Sequence, residues 1–365
     1  MQRLLSLAIL GVLGGLGWLA LKGGGLDQLS IAPRNHSPAN VPAPASLPAP
    51  VPAHVPFSGY QTPGPWAGPT TNPAGSASNN QAVSSGQATA GPSSGPALRI
   101  AAFNIQDFGN TKASKPYVMH TLADIVRQFD IMAIQEISTK NEYLIPNFVK
   151  LINQSGRRYD HVIGRRLGNT KSKQQYAYLF DTQRVEIDHQ SVYTIGDPDN
   201  LLHREPLVAT FRAREVDPDE AFTFTLVATH TDPDVVPQEL DALAEVYRVV
   251  RRSSRGEDDI ILLGDFNADD RHLGRLGQLP GIYPLIAGVW TNTRQNKQYD
   301  NLVIHQPSTT EYAGRSGVFD VMRRYNLTQK QALEVSDHFP VWAEFSVYER
   351  DYAGRIASRR QTTGR

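Results

Sequence analysis

The sequence contains no cysteine. Disulfides, zinc–thiolate centres, iron–sulfur clusters and thiol catalysis are therefore excluded, while the redox compartment stays open, since a thiol-free chain is safe in either. A surplus of charge is also lacking: 36 Lys and Arg stand against 36 Asp and Glu in 365 residues. A polybasic nucleic-acid binder needs excess cations to neutralise phosphates, and that class is excluded too. An enzyme that meets phosphate through a metal and a few placed groups is not. Glycine and proline, by contrast, are plentiful at 29 and 25 residues, too many for one compact fold. Their distribution divides the chain.

Residues 4–21 (LLSLAILGVLGGLGWLAL) carry no charge and lie between Arg3 and Lys22. A helical span needs about 20 apolar residues, so residues 1–22 read as a membrane anchor, with a cleaved signal segment or a buried core helix as the alternatives. Arg3 favours a cytoplasmic N-terminus, which would place the remainder outside the cytoplasm, or secreted after cleavage. Residues 23–97 hold 14 of the 25 prolines and only two charges, Asp27 and Arg34. Such a stretch cannot bury enough apolar surface to offset its ordering entropy and reads as a disordered linker. Residues 98–348 form the globular part. Eight short apolar runs in it read as buried strands, and Tyr117–Phe129 and Pro237–Arg252 have helical period. A further short helix is expected near Val318–Tyr325. Strands outnumber helices, which predicts an α/β sandwich of sheets with helices outside. Residues 349–365 hold five Arg without apolar period and read as a basic tail.

The chemistry is written at the ends of the apolar runs. Asn104 follows RIAAF, Glu136 follows DIMAIQ, His230 follows TLVAT, and Asp265 and Asn267 follow DIILLG. Asp300 opens NLVIH, and Asp337-His338 precedes FPVWAEF. One such residue is ordinarily a turn former. Several beside separate buried strands can gather on one rim, where clustered carboxylates must be paired or must hold a cation. Oxygen ligands without thiolates suit Mg²⁺, Mn²⁺ or Ca²⁺. Two imidazoles beside such an ion fit phosphoester hydrolysis, one activating water and the other assisting the leaving oxygen.

The stretches LRIAAFNIQDFG, DIMAIQEI, YAYLFDTQRV, HREPLVATF, TLVATHTDPD, DIILLGDFNAD, YDNLVI and VSDHFPV occur in this order. Together they resemble the endonuclease/exonuclease/phosphatase superfamily, and its deoxyribonuclease I branch most closely. The resemblance covers Leu98 to Phe345. It implies a four-layer α/β sandwich of two mostly antiparallel sheets flanked by helices, and a divalent-metal-dependent phosphodiesterase with nucleic acid as substrate. It also implies the roles: Glu136, Asn104, Asp337 and Asp265 as metal ligands, with Asp265 and Asn267 orienting the attacked phosphate. His338 becomes the general base oriented by Asp300, His230 the general acid or transition-state donor, and Arg204 a phosphate contact. The metal is Mg²⁺ or Mn²⁺, with Ca²⁺ as a structural ion.

The chain departs from the branch at several places. A glutamate that pairs with the second imidazole is replaced by Gln174, a weakened partner for His230. Groove-binding Arg and Tyr fall on Ser138 and Ser172, and an Arg after the YD pair becomes Asn301. Residues 98–348 are mildly acidic, 28 basic against 33 acidic. Three readings follow. The first is an endonuclease acting on DNA, or RNA, tethered outside the cytoplasm. The second is a membrane-tethered phosphatase or phosphodiesterase for lipid or small phosphoesters. The third is a binding module that has lost catalysis, against which the complete polar set argues.

Overall fold

A computed structural model describes residues 30–31, 96–168, 173–254 and 256–350. The expected anchor at 1–22, nearly all of the expected linker and the tail beyond Arg350 lie outside the described residues. Among the described residues, no helix is long and apolar enough to cross a membrane.

In chain order the elements are β1 (Ser30–Ile31), β2 (Ala97–Phe108), α1 (Asn110–Ala113), α2 (Pro116–Val126), β3 (Ile131–Ile137), α3 (Leu144–Asn153), β4 (Tyr159–Ile163), β5 (Gln175–Asp181), β6 (Val185–Gly196) and β7 (Leu207–Ala213). There follow β8 (Thr223–His230), α4 (Val236–Ser253), β9 (Ile260–Asp265), α5 (Gly274–Gln278), β10 (Ile282–Pro284), β11 (Asp300–His305), β12 (Tyr312–Val318), α6 (Val321–Tyr325), α7 (Gln329–Val335) and β13 (Val341–Ser346). One sheet has seven strands in the order β1-β6-β7-β8-β9-β11-β10, the other six in the order β12-β13-β2-β3-β5-β4. All neighbours are antiparallel except β2 with β3 and β8 with β9. Each parallel pair needs a crossover, supplied by α2 in one sheet and α4 in the other.

The layering follows from which faces are apolar. Leu98, Ile100 and Ala102 of β2 meet Phe211, Phe224 and Leu226 of the other sheet in a core between the sheets. At its centre, Phe211 packs edge-on to Tyr178 and Phe180 and stacks on Phe224. The outer face of the six-stranded sheet is covered by α2, α3, α6 and α7. That of the seven-stranded sheet is covered by α4 and α5. This is the expected four-layer sandwich. The central strands are buried on both faces, which is why they read as continuous apolar runs. Helix α2 begins with Pro116 in its first turn and buries Val118, Leu122, Ile125 and Val126 along one side. Two edges of the expected organisation move. Ser30–Ile31, inside the stretch read as linker, pairs with β6 at Gly196 and Ile195. Glu349 and Arg350, read as tail, are tied to Glu220 and Glu311 through their backbone N–H groups.

Candidate active site

Strands β2, β3, β8 and β9 all deliver their C-terminal ends to one rim. His230 ends β8 and Asp265 ends β9, opposite one another in the parallel register. Asp300 opens β11 opposite Asp265 in the antiparallel register. The three therefore stand in one row across the sheet, where neighbouring side chains meet. The row needs Gly264: a Cβ there would lie 2.0 Å from the Thr229 carbonyl oxygen, at φ +140. That is the physical reason for glycine in GDFN.

The other sheet contributes Asn104 and Glu136. Glu136 sits at φ 62, and the register on both sides of it is shifted, so the strand bulges at this carboxylate. A non-glycine residue held there costs roughly 1–3 kcal/mol, and such strain collects at functional sites. The carboxylate is pinned by the Asp107 backbone N–H at 2.9 Å and by Asn104 Nδ2 at 2.9 Å. Asn104 Nδ2 also donates to Asp265 Oδ2 at 3.0 Å, joining the two sheets across the rim. His338 arrives from the loop before β13. Its Nδ1 lies 2.8 Å from Asp300 Oδ2 and its Nε2 lies 3.6 Å from Asp265 Oδ2. The second imidazole faces the same oxygen: His230 Nε2 is 3.6 Å from Asp265 Oδ2 and 3.9 Å from Glu136 Oε1.

Burial makes these charges strong. The Asp265 carboxyl is raised above the usual range by burial first and by Asp300 next, against the pull of His338. Burial alone would lower His338, but Asp300, Asp265 and Asp337 outweigh it and raise it. His230 is lowered well below its ordinary value by burial, then by Arg204, His338 and His203. The two imidazoles are thus pushed in opposite directions, one toward the charged form and one toward the neutral form.

An oxygen-ligated ion fits this rim. Asn104 Oδ1 is buried with no hydrogen-bond partner, beside the carboxylates of Glu136 and Asp265. Ligand atoms of Asp265, Asp300 and His338 lie within 4.8 Å of one another, although Asp300 Oδ2 and His338 Nδ1 are engaged with each other. Asn104, Glu136 and Asp265 are the better holders for that reason. Asp337 is more open; its Oδ2 accepts from Gln106 Nε2 at 3.1 Å and its Oδ1 lies 3.8 Å from His338 Nε2.

Three expected residues keep their side chains out of the carboxylate cluster. Asn267, at φ 47, donates its backbone N–H to Asp265 Oδ1 and its Nδ2 to the Thr231 carbonyl, both at 2.9 Å. Arg204 is buried, and its Nε and Nη2 donate to the carbonyls of His230 and Thr231 at 3.2 Å, so it braces the loop behind His230. Gln174 makes no bond to His230: its Oε1 and His230 Nδ1 are each buried without a partner. Its backbone instead pairs with Leu167.

Four further residues complete the site. Thr291 Oγ1 donates to Asp300 Oδ2 at 2.7 Å, and the Tyr299 ring lies 5.9 Å from that of His338. Ser336 Oγ bonds the Asn104 carbonyl at 2.7 Å and receives the His338 N–H at 3.1 Å. Lys112 Nζ donates to the Val335 carbonyl at 2.7 Å; burial brings it down to about 8, against Asp337, Glu136 and Asp107, which raise it. Ser336, beside Asp337-His338, and Tyr299, beside Asp300, carry a local sequence signal. Thr291 and Lys112 arrive by long-range packing.

A family model described as Endonuclease/Exonuclease/phosphatase family matches residues 101–338. The chain belongs to this family. Among similar proteins, Deoxyribonuclease gamma of Rattus norvegicus is 34% identical over 262 residues, covering 67% of this chain and 83% of that protein. Deoxyribonuclease-1-like 1 of Sus scrofa is 35% identical over 264 residues, covering 68% of this chain and 81% of that one. The human Nocturnin catalytic domain with bound sulfate anion superposes with a TM-score of 0.49 at 14% identity, covering 69% of this chain and 94% of its own. As a member of the endonuclease/exonuclease/phosphatase family, the chain is an enzyme that hydrolyses phosphoester bonds.

Proposed function

We propose that the rim is a divalent-cation-dependent phosphodiester hydrolysis centre with two working histidines, and that its substrate is nucleic acid, DNA first. The observation that carries this reading is the row His230–Asp265–Asp300 with His338 seated on Asp300 and Asn104 tying Asp265 to Glu136. The deoxyribonucleases among the relatives supply the substrate class. Asn104, Glu136 and Asp265, with Asp337 at the open side, would hold Mg²⁺ or Mn²⁺. When bound, the ion supplies positive charge to polarise the phosphoryl oxygen and to offset the carboxylates.

The protein's own groups then divide the proton work. Asp300 accepts the Nδ1 proton of His338, which fixes the tautomer and leaves Nε2 to take the proton of the attacking water. Thr291 holds the same Asp300 oxygen in place. His230, kept neutral by burial and Arg204, acts as an Nε2–H donor to the developing oxyanion or the departing oxygen. Asn267, held against Asp265 and Thr231, presents its amide toward the phosphate. Arg204 serves the phosphate indirectly, through the loop it braces.

The test uses the full chain with Mg²⁺ or Mn²⁺ and offers supercoiled plasmid, single-stranded DNA, RNA and bis(p-nitrophenyl) phosphate. Nicking of plasmid supports the endonuclease. Dye hydrolysis without any cut polynucleotide moves the activity to small or lipid phosphoesters. The uncharged run at 4–21 motivates a companion proposal, an anchor that holds the catalytic domain outside the cytoplasm. Mass measurement of the mature N-terminus together with protease shaving of intact cells tests it, and a protected catalytic domain would overturn it.

A further inference from the structure

Beside the rim lies a cavity of about 1120 Å³ whose near wall is formed by Asn267 and Tyr299. Tyr299 is the residue whose ring tilts against His338, so cavity and site share that wall. The far wall carries Trp290, 57% exposed, directly before the Thr291 that holds Asp300. The indole therefore offers an open aromatic face to whatever enters the cavity. Its loop is fixed: the Gly288 N–H donates to Asp270 Oδ1 at 3.1 Å, at φ 65, and Thr291 N–H donates to the Lys297 carbonyl at 2.9 Å.

The charge on the cavity identifies the occupant. Arg271 and Lys297 line it, both exposed, and neither has an ion-pair partner among the described residues. Asp269 and Asp270 also line it, but Asp269 Oδ1 accepts from the Arg271 N–H at 2.9 Å and lies 2.7 Å from the His272 ring nitrogen, and Asp270 Oδ1 accepts from Gly288. A flat aromatic face with free cations beside it, opening onto a phosphodiester-cleaving centre, matches one ligand: a nucleotide whose base has left its stack. At about 1120 Å³ the cavity exceeds the roughly 300–1,000 Å³ of pockets for drug-sized ligands, which leaves room for a nucleotide and its flanking phosphate.

We propose that this cavity is a nucleotide subsite: the base next to the cleaved phosphate lies on Trp290, the neighbouring phosphate meets Arg271 and Lys297, and unpaired strands are taken in preference to duplex. This deepens the nuclease reading and rests on it. A paired base cannot reach Trp290 without the cost of unstacking, a few kcal/mol, whereas a single strand brings it at little cost. Base–aromatic stacking is worth about 1–3 kcal/mol by alanine substitution, or roughly a 5- to 150-fold effect.

The experiment measures cleavage of one labelled oligonucleotide as single strand and as duplex by the full chain with Mg²⁺. Trp290→Ala is expected to lower the single-strand to duplex ratio of kcat/KM by about 5- to 150-fold, with the loss on KM, and Trp290→Phe to keep it within about threefold. Equal losses on both substrates, or none, overturn the subsite. Binding is read separately in His338→Ala, by the tryptophan emission that disappears in the His338→Ala/Trp290→Phe double variant. The single strand is expected to quench that emission and an equal concentration of duplex to leave it. Quenching without cleavage by the parent protein would retain the subsite and refute the nuclease reading; cleavage with no Trp290-dependent quenching would do the reverse.

Discussion

Replacing Asp300 by Asn probes the proton machinery most sharply. Both partners of the His338–Asp300 contact are buried, the bond is 2.8 Å, and Thr291 Oγ1 donates to the same oxygen. An Asn amide oxygen can still accept from both donors, so the geometry survives. What is lost is the charge, and the new amide nitrogen falls where Asp300 Oδ1 has no partner to offer. A charge-assisted hydrogen bond is worth about 1.5–3 kcal/mol, which corresponds to roughly 10- to 150-fold in rate. The pH profile gives the second readout. Asp300 is the first of the groups that raise His338, so its removal lowers the histidine. A base works when deprotonated, so the acid limb of kcat/KM moves to lower pH as the maximum falls. The assay is metal-loaded hydrolysis of a phosphodiester from pH 5 to 10. A variant that retains more than half the activity, or whose acid limb stays in place or moves up, refutes the assignment of His338 as base.

Other expectations concern the frame around the site. The Asp259 carboxyl is pushed up to about 9 by burial, then by Glu311, Glu257 and Glu349. A folded-state value above the unfolded value of about 4 contributes stability that is full at low pH and is lost as pH rises from about 4 toward 9. Asp259→Asn removes that loss, so the gain in Tm over the parent should be larger at pH 8 than at pH 5; a pH-independent difference contradicts it. Phe211, 1% exposed among three aromatic rings, should cost about 3–5 kcal/mol on truncation to Ala in urea unfolding, and a cost below about 1 kcal/mol would show that the inter-sheet core is placed wrongly. Gln174→Glu is expected to shift the pH optimum of hydrolysis upward if its carboxylate faces His230, since an anion favours the protonated imidazole. An unchanged optimum shows that position 174 does not reach the ring.

Much of this architecture is legible in the chain because the central strands are buried on both faces. IILLGD in β9 and IMAIQEI in β3 are almost wholly buried and read as unbroken apolar runs. The edges are a different matter. Strand β6 alternates buried, half-buried and exposed positions without a period of two, and β12 is largely open, so neither carries a strand signal. Helix α3 hides behind Pro146, which its first turn tolerates. Helix α7 is not among the helices expected from the sequence, although the capping box of Thr328 and Gln331 marks its start.

The site divides in the same way. Asn104, Glu136, His230, Asp265, Asp300 and His338 could be named because each closes or opens a buried run. Two of their supports could not, because Lys112 and Thr291 reach the rim only when segments apart from it in sequence pack against it. Nor could the direction of Arg204, which depends on the carbonyls of a loop folded beneath it.

The central claim is that this rim hydrolyses phosphodiesters with a bound cation and His338 as base. Its most direct measurement is nicking of supercoiled plasmid by the full chain in Mg²⁺, alongside His338→Ala and a parent sample held in EDTA. The account predicts open-circular product from the parent alone, restored in the EDTA sample when Mg²⁺ is returned in excess. Equal nicking by His338→Ala, or a folded and metal-loaded parent that cuts nothing, would contradict it.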